Sequence, residues 1–320
     1  MTSPLLSLPG AVPADPPDEG VAAHYGDPLR EQRELAAGRG GVDLSHRPVL
    51  RVSGPDRLSW LHSLTTQHLT SLAPRAGTTA LVLSPHGHVE HAMDLVDDGE
   101  AVWMHVEPGT AQPLQEFLAK MRFWSQVEVE DVSADWAVVW QPVADPHPEL
   151  LSRPRDGDGS FAVGGRDVFV PRDRLEDEVR RDGAPAGVWA HEALRIAAGR
   201  PRHLRETDHR TIPHELGWIG EAVHLDKGCY RGQETVARVH NLGRPPRRLV
   251  LLHLDGSVET LPTHGAAVEL DARPVGRVTS AARHHELGPV ALAVVKRGTP
   301  TEATLLAGGV AAAQDVLVPS

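Results

Sequence analysis

The chain of 320 residues is long enough for two or three domains, and 40% apolar content can fill their cores. A formal net charge of -11 opposes indiscriminate binding to a phosphate backbone, so no direct nucleic-acid partner is expected. A single cysteine excludes an internal disulfide framework and fits a reducing compartment. There is also no apolar run of about 18 residues and no basic, apolar leader at the N-terminus, so the expectation is a cytoplasmic protein without a membrane span.

Residues 1–23 hold seven prolines or glycines and little apolar periodicity, which reads as a disordered tail with order beginning near His24. Residues 48–52 are strand-like. Ser53-Gly54-Pro55-Asp56 then starts a helix, with proline in the first turn and Leu58, Leu61 and Leu64 at helical spacing. Strands are expected over 78–83 and 89–96, where Val89, His91, Met93 and Leu95 alternate on one face. Asp97-Asp98-Gly99 turns the chain into Val102, Met104 and Val106 to complete a hairpin. His86, His88 and His91 surround the turn between the first two strands. With no cysteine or dense ligand cluster nearby, they are read as turn and surface residues, and no metal site is expected.

Residues 110–124 predict a helix with Leu114, Phe117, Leu118 and Met121 on one stripe, followed by strands over 127–129 and 136–140. Proline, glycine and aspartate enrich the stretch near 142–160, which predicts a surface loop between subdomains. A strand over 167–170, a helix capped by Asp173, and a stronger helix over 188–198 follow. Gly199 and Pro201 stop that last helix. Beyond Pro245, short strands over 248–254, 267–270, 276–281 and 290–295 suggest a small antiparallel barrel.

The densest chemistry lies in Lys227-Gly228-Cys229-Tyr230-Arg231-Gly232-Gln233-Glu234, followed by Arg238, His240 and Asn241. A thiolate needs a nearby positive charge to form near neutral pH, and glycines let backbone or a flat ligand approach closely. A lone cysteine is more often a small buried hydrophobe, and that reading stands beside the functional one. His224 and His240 are candidate bases for a Cys-His nucleophilic enzyme, which would need base and thiol within hydrogen-bond reach.

With the run from Thr211-Ile212-Pro213-His214-Glu215 through Arg247-Arg248-Leu249, the octapeptide resembles the YgfZ-type folate-binding proteins. These are relatives of the glycine-cleavage T-protein with the signature K-G-C-[aromatic]-x-G-Q-E. The likeness extends from about Val42 to Lys296 and includes the strand, turn and helix over 48–67 and Leu194-Arg195-Ile196-Ala197-Ala198-Gly199-Arg200-Pro201.

The resemblance implies an α+β, T-protein-like folate-binding fold: a tail over 1–23, two intertwined α/β subdomains within 24–245, and a C-terminal β-barrel over 246–314. It implies a factor that supports assembly or repair of iron-sulfur proteins and, through them, tRNA thiomodification. Such a factor stands closer to a maintenance role than to a turnover enzyme, and its partners are iron-sulfur proteins or their assembly machinery.

Tetrahydrofolate, or a one-carbon-substituted folate, would lie in a central cavity with the Cys229 loop at its rim. Cys229 and Lys227 would be the catalytic pair, with Lys227 favouring the thiolate. Tyr230, Gly232, Gln233, Glu234, Arg238, Arg195 and Glu90 are the candidate folate-binding residues. For Gln233 and Glu234, anchoring of the loop remains open. For Arg195, a structural ion pair with a residue such as Glu215 or Glu234 remains open. The basic stretches 195–205 and 244–248 are candidate contacts for a folate's anionic tail.

The alternative is a tetrahydrofolate-dependent aminomethyltransferase. In the T-protein an aspartate follows the glycine of the first hairpin turn and assists transfer of the aminomethyl carbon. Here Glu90 and His91 stand at the matching positions, which argues against that reaction.

Overall fold

The computed structural model describes residues 2–142, 150–155, 164–243 and 245–318. The first 23 residues depart from the expected tail. A short 3-10 turn (Pro4–Ser7) buries Leu5 completely, and β1 (Val12–Pro13) pairs with β2 (Ala22–His24). Leu5 packs among Val139, Val168, Val170 and Leu175, and the Ser3 hydroxyl donates to Asp43. Scattered anchors hold the segment, among them Leu5, Ala14, Asp18 and Val21, so it shows no regular periodicity to read.

Helix α1 (Pro28–Ala36) begins at Asp27, whose carboxylate accepts from the N-H groups of Leu29 and Arg30. Strands β3 (Gly41–Asp43) and β4 (Val49–Ser53) lead to α2 (Arg57–Leu64). The predicted hairpin is present as β5 (Gly77–Leu83), β6 (Val89–Asp97) and β7 (Ala101–His105). Helix α3 (Ala111–Lys120) ends earlier than the periodicity suggests, because Met121 caps it and Phe123 turns to a positive φ of 40°. Strands β8 (Glu128–Asp131) and β9 (Trp136–Gln141) follow.

Within the stretch expected as a loop near 142–160, residues 151–155 form β10 (Leu151–Arg155), which pairs with β11 (Gly165–Pro171). Residues 143–149 and 156–160 lie outside the described residues, as does Arg244 of the basic stretch. Helix α4 (Leu175–Arg180), the two-residue β12 (Pro185–Ala186) and α5 (Val188–Ala197) complete this half, and α6 (Gln233–Leu242) follows the Cys229 loop.

The strands form two five-stranded sheets, ordered β5-β6-β7-β4-β8 and β10-β11-β9-β3-β12. One face of the first carries α2 and α3 over Leu50, Val52, Met93, Leu95, Leu114 and Leu118. The C-terminal residues make a closed six-stranded barrel from β13 (Arg247–Leu254), β14 (Ala267–Leu270), β15 (Arg273–His284), β16 (Gly288–Lys296), β17 (Leu305–Ala307) and β18 (Val310–Val316). Its last two strands were not among those anticipated. Along β13 the side chains alternate: Val250 and Leu252 fill the barrel, while Leu249 and Leu251 pack outward on Leu81, Leu83, Trp218 and Tyr230. Among the described residues no helix is long and apolar enough to cross a membrane.

A buried ion network joins these parts. Arg202 donates to Asp18 at 2.8 Å, to Glu107 at 2.6 Å and to Glu192 at 2.9 Å. Arg195 donates to Glu192 at 2.6 Å and to Glu206 at 3.1 Å, and Glu206 accepts from Thr279 and Ser280 of β15. Burial pushes the Glu107 carboxyl up, but Arg202 and Arg47 outweigh it and hold it at about 2.

If the N-terminal segment is packed, Leu5→Ala should cost about 2–5 kcal/mol in chemical denaturation, the range for a buried leucine cut to alanine. A loss near zero would mean that the first 23 residues behave as the tail their composition suggests.

Candidate functional site

The Cys229 loop is held by close backbone contact as well as by the side chains of Lys227, Tyr230 and Arg231. Gly232 has a φ of 83°, and a Cβ there would fall 2.6 Å from the carbonyl oxygen of Ser84 and 3.0 Å from the Cα of Gly87. Gly87, also at positive φ, would place a Cβ 2.7 Å from that of Thr235. The turn over 84–88 and the start of α6 therefore fit only as two bare backbones. Beside this contact Arg231 pairs with Glu90 at 2.9 Å and lies over the Phe117 ring. Cys229 is displayed to solvent at the outer edge of the loop.

Lys227, expected beside the thiol, is directed elsewhere. Its ammonium donates to the carbonyls of His62 and Thr65, the latter at 2.5 Å, and so closes the C-terminal end of α2. Burial lowers its pKa to about 8. Tyr230 is core, with its ring under the Lys227 ammonium, and burial raises its hydroxyl to about 12. Gln233 donates to the Lys227 carbonyl at 3.4 Å, which anchors the loop. Glu234 and Arg238 are exposed on α6.

Of the two candidate bases, His224 faces the His68 ring and His240 the His214 ring. At the position of the T-protein aspartate, His91 is half-buried. Burial first, then His203 and Arg231, lowers its pKa to about 4, so it is neutral at pH 7.

A central cavity lies apart from this loop. It measures about 80 Å³ counted at the centres of solvent molecules, room for a handful of waters or one bicyclic ring. Its lining includes Trp140 and Trp218, the cationic Arg195 and Arg202, and the polar Asp94 and His105. An outer cleft of about 520 Å³ continues from it, sharing Thr79, Arg200 and Glu221 and adding Arg153. Of the anticipated folate-binding residues, Arg195 lines the cavity, as do Arg200 and Arg202 of the basic stretch 195–205, and the ion-pair partners of Arg195 are Glu192 and Glu206, not Glu215 or Glu234. Glu215 pairs instead with Arg247.

The lining fits a planar polar heterocycle: two indoles supply flat surface, and the buried Arg47 Nε has no hydrogen-bond partner among the described residues. A reduced pterin would be held there by Trp140, Trp218 and Arg47. The sequence reading missed Asp94, His105 and Asp167, although a charged residue inside an otherwise apolar strand was a usable signal.

Residues 247–316 match the family described as "Glycine cleavage T-protein C-terminal barrel domain". A putative chloroplastic transferase of Arabidopsis thaliana is 29% identical over 75% of this chain, and the match spans only 61% of that protein. An iron-sulfur cluster assembly factor IBA57 homolog of Mycosarcoma maydis is 24% identical over 77% of this chain and 68% of its own. The crystal structure of the glycine cleavage system aminomethyltransferase T from Bartonella henselae superposes with a TM-score of 0.80 at 20% identity, covering 98% of this chain and 94% of that one.

Lys227 predicts a pH effect. Its pKa falls from the ordinary 10.5 to about 8 on folding, so between those values the unfolded chain holds the proton more tightly and stability rises with pH. Urea melts at pH 7 to 10 should show wild type gaining stability relative to Lys227→Met across that window. A flat difference would mean that the ammonium is not buried.

The chain has the fold of the glycine-cleavage T-protein and carries that family's C-terminal barrel.

Proposed function

We propose that this protein is a folate-binding maintenance factor of the YgfZ type. It holds tetrahydrofolate or a one-carbon derivative in the central cavity and presents Cys229 to iron-sulfur proteins or their assembly machinery, with tRNA thiomodification as a downstream beneficiary in the cytoplasm. The observation that carries this reading is the division of labour around Glu90. In the T-protein reaction a carboxylate beside the hairpin turn assists transfer. Here the Glu90 carboxylate is paired with Arg231, and the neighbouring His91 is neutral. The same ion pair fixes the loop that displays the thiol. The similarity to the IBA57 homolog supports the iron-sulfur assignment.

Bound folate would supply one-carbon chemistry. The chain's own contribution is to grip a flat ring between Trp140 and Trp218, exclude bulk water, and hold the cysteine on a fixed backbone outside the cavity. Aminomethyl transfer is the second reading. It is favoured by the fold shared with the Bartonella enzyme and by a cavity of suitable shape.

In cells lacking their native factor, Cys229→Ala should leave the melting temperature nearly unchanged and abolish recovery of iron-sulfur enzyme activity. Full recovery by Cys229→Ala would overturn the proposal. Turnover with an aminomethylated lipoyl carrier that survives Cys229→Ala would favour the transferase.

A further inference from the structure

We infer that a cleft behind α5 is a second binding site, separate from the central cavity, for a small aromatic carboxylate. Counted, as for the central cavity, at the centres of solvent molecules, the cleft measures about 650 Å³, a size that buries a small organic ligand. The two spaces share no lining residue. His191, Arg195 and Ala198 of α5 border the central cavity, while Trp189, Glu192 and Ile196 border the cleft, so the helix is the partition between them. The N-terminal segment, the start of α1 and the barrel strand β15 close the other sides. Within the lining, Trp189 is 50% exposed and Leu29 38% exposed. The indole tilts against the His24 ring at 5.2 Å, and an indole held this way in a concavity offers flat apolar surface to a second ring.

The charges in the lining set the sign of the ligand. Asp18 is held by Arg202 and His46, Glu192 by Arg195 and Arg202, and the Asp27 carboxylate caps α1. Asp15 is exposed to solvent, and Arg283 donates to the Glu259 carbonyl. Arg205 differs from all of these. Its Nε is buried without a hydrogen-bond partner, and among the described residues its guanidinium forms no ion pair. A donor cut off from solvent and unbonded is costly, and a cation so placed favours an anion. A modest rotation of this side chain sets Nε and the neighbouring Nη as a fork against two carboxylate oxygens, a match that a planar guanidinium makes with a planar carboxylate. The backbone that carries it is fixed in advance: the Arg205 N-H donates to the Arg202 carbonyl at 3.3 Å, and the Leu204 N-H to the Thr207 hydroxyl at 2.8 Å. Flat apolar surface at Trp189 and an unclaimed cation at Arg205, in one cleft, together select an aromatic ring bearing a single carboxylate.

The test is isothermal titration of the full chain with 2-naphthoate, and with 2-naphthamide as its uncharged counterpart. Wild type should bind naphthoate saturably, one per chain, and the amide at least about tenfold more weakly, the order of one charge-assisted hydrogen bond. Arg205→Gln should weaken naphthoate by the same factor and leave the amide nearly unchanged, whereas Trp189→Ala should weaken both. Ala198→Phe, in the lining of the central cavity, should leave both as in wild type. Arg205 and Trp189 are partly exposed, and an unchanged melting temperature verifies that their variants fold. The site is refuted if wild type shows no saturable naphthoate binding, a result that needs no variant. It is also refuted if Arg205→Gln leaves naphthoate affinity intact, or if Ala198→Phe abolishes it, which would put the probe in the central cavity. Neither folate nor Cys229 enters the assay, so the outcome is independent of the proposed function.

Discussion

Arg202 is the residue on which the arrangement of the parts depends. Its guanidinium reaches Asp18 in the N-terminal segment, Glu107 beyond β7 and Glu192 on α5, and through Glu192 it is coupled to Arg195, Glu206 and the barrel strand β15. These charges have given up water, and Glu107 and Glu192 are kept ionised against burial by the arginines around them. Such a network contributes less net stability than its count of bonds suggests, but removing one member strands the others, at about 3–5 kcal/mol. It therefore works as a registry device: the N-terminal segment, the sheets and the barrel must all arrive for any of the charges to be satisfied.

The same network shapes the cavity. Glu107, Arg195 and Arg202 form part of its wall and are already paired, so they set its outline and field rather than serving as unclaimed ligand contacts. On the proposed folate-binding reading, recognition would fall to the groups between them: the two indoles, the unbonded Nε of Arg47, and Asp94 and His105. The thiol belongs to a different structural unit. Its loop is positioned by the bare-backbone contact of Gly87 with Gly232 and by Arg231 on Glu90, and none of residues 226–243 lines the cavity. Strand β6 links the two, with Glu90 against the loop and Ala92 and Asp94 in the cavity lining, and Trp218 of the lining packs in one core with Tyr230 of the loop.

Regular periodicity was readable in the sequence, and isolated anchoring was not. The hairpin over 77–105, the helix at 188–197 and the first four barrel strands could be read because their apolar residues repeat at two or near four. Leu5 and Asp18 could not, since each anchors a proline-rich stretch as one residue outside any repeating pattern. Strand β10 was hidden by the composition around it. Lys227 shows another limit: its spacing from Cys229 is fixed in sequence, but the direction of its side chain is set by the carbonyls that end α2, which no local pattern reveals. Arg195 was correctly suspected of an ion pair. Its partner Glu192, three residues earlier on the same helix, was the readable one, while Glu206 became visible only in the fold.

The central claim is that ligand cavity and reactive thiol are separate sites on one scaffold. Equilibrium binding of 5-formyltetrahydrofolate tests it most directly, compared among wild type, Cys229→Ala and Ala198→Phe, which narrows the passage between cavity and outer cleft. The account predicts saturable binding that Cys229→Ala leaves unchanged and Ala198→Phe abolishes. Binding lost with the thiol, or indifferent to the blocked passage, would contradict it.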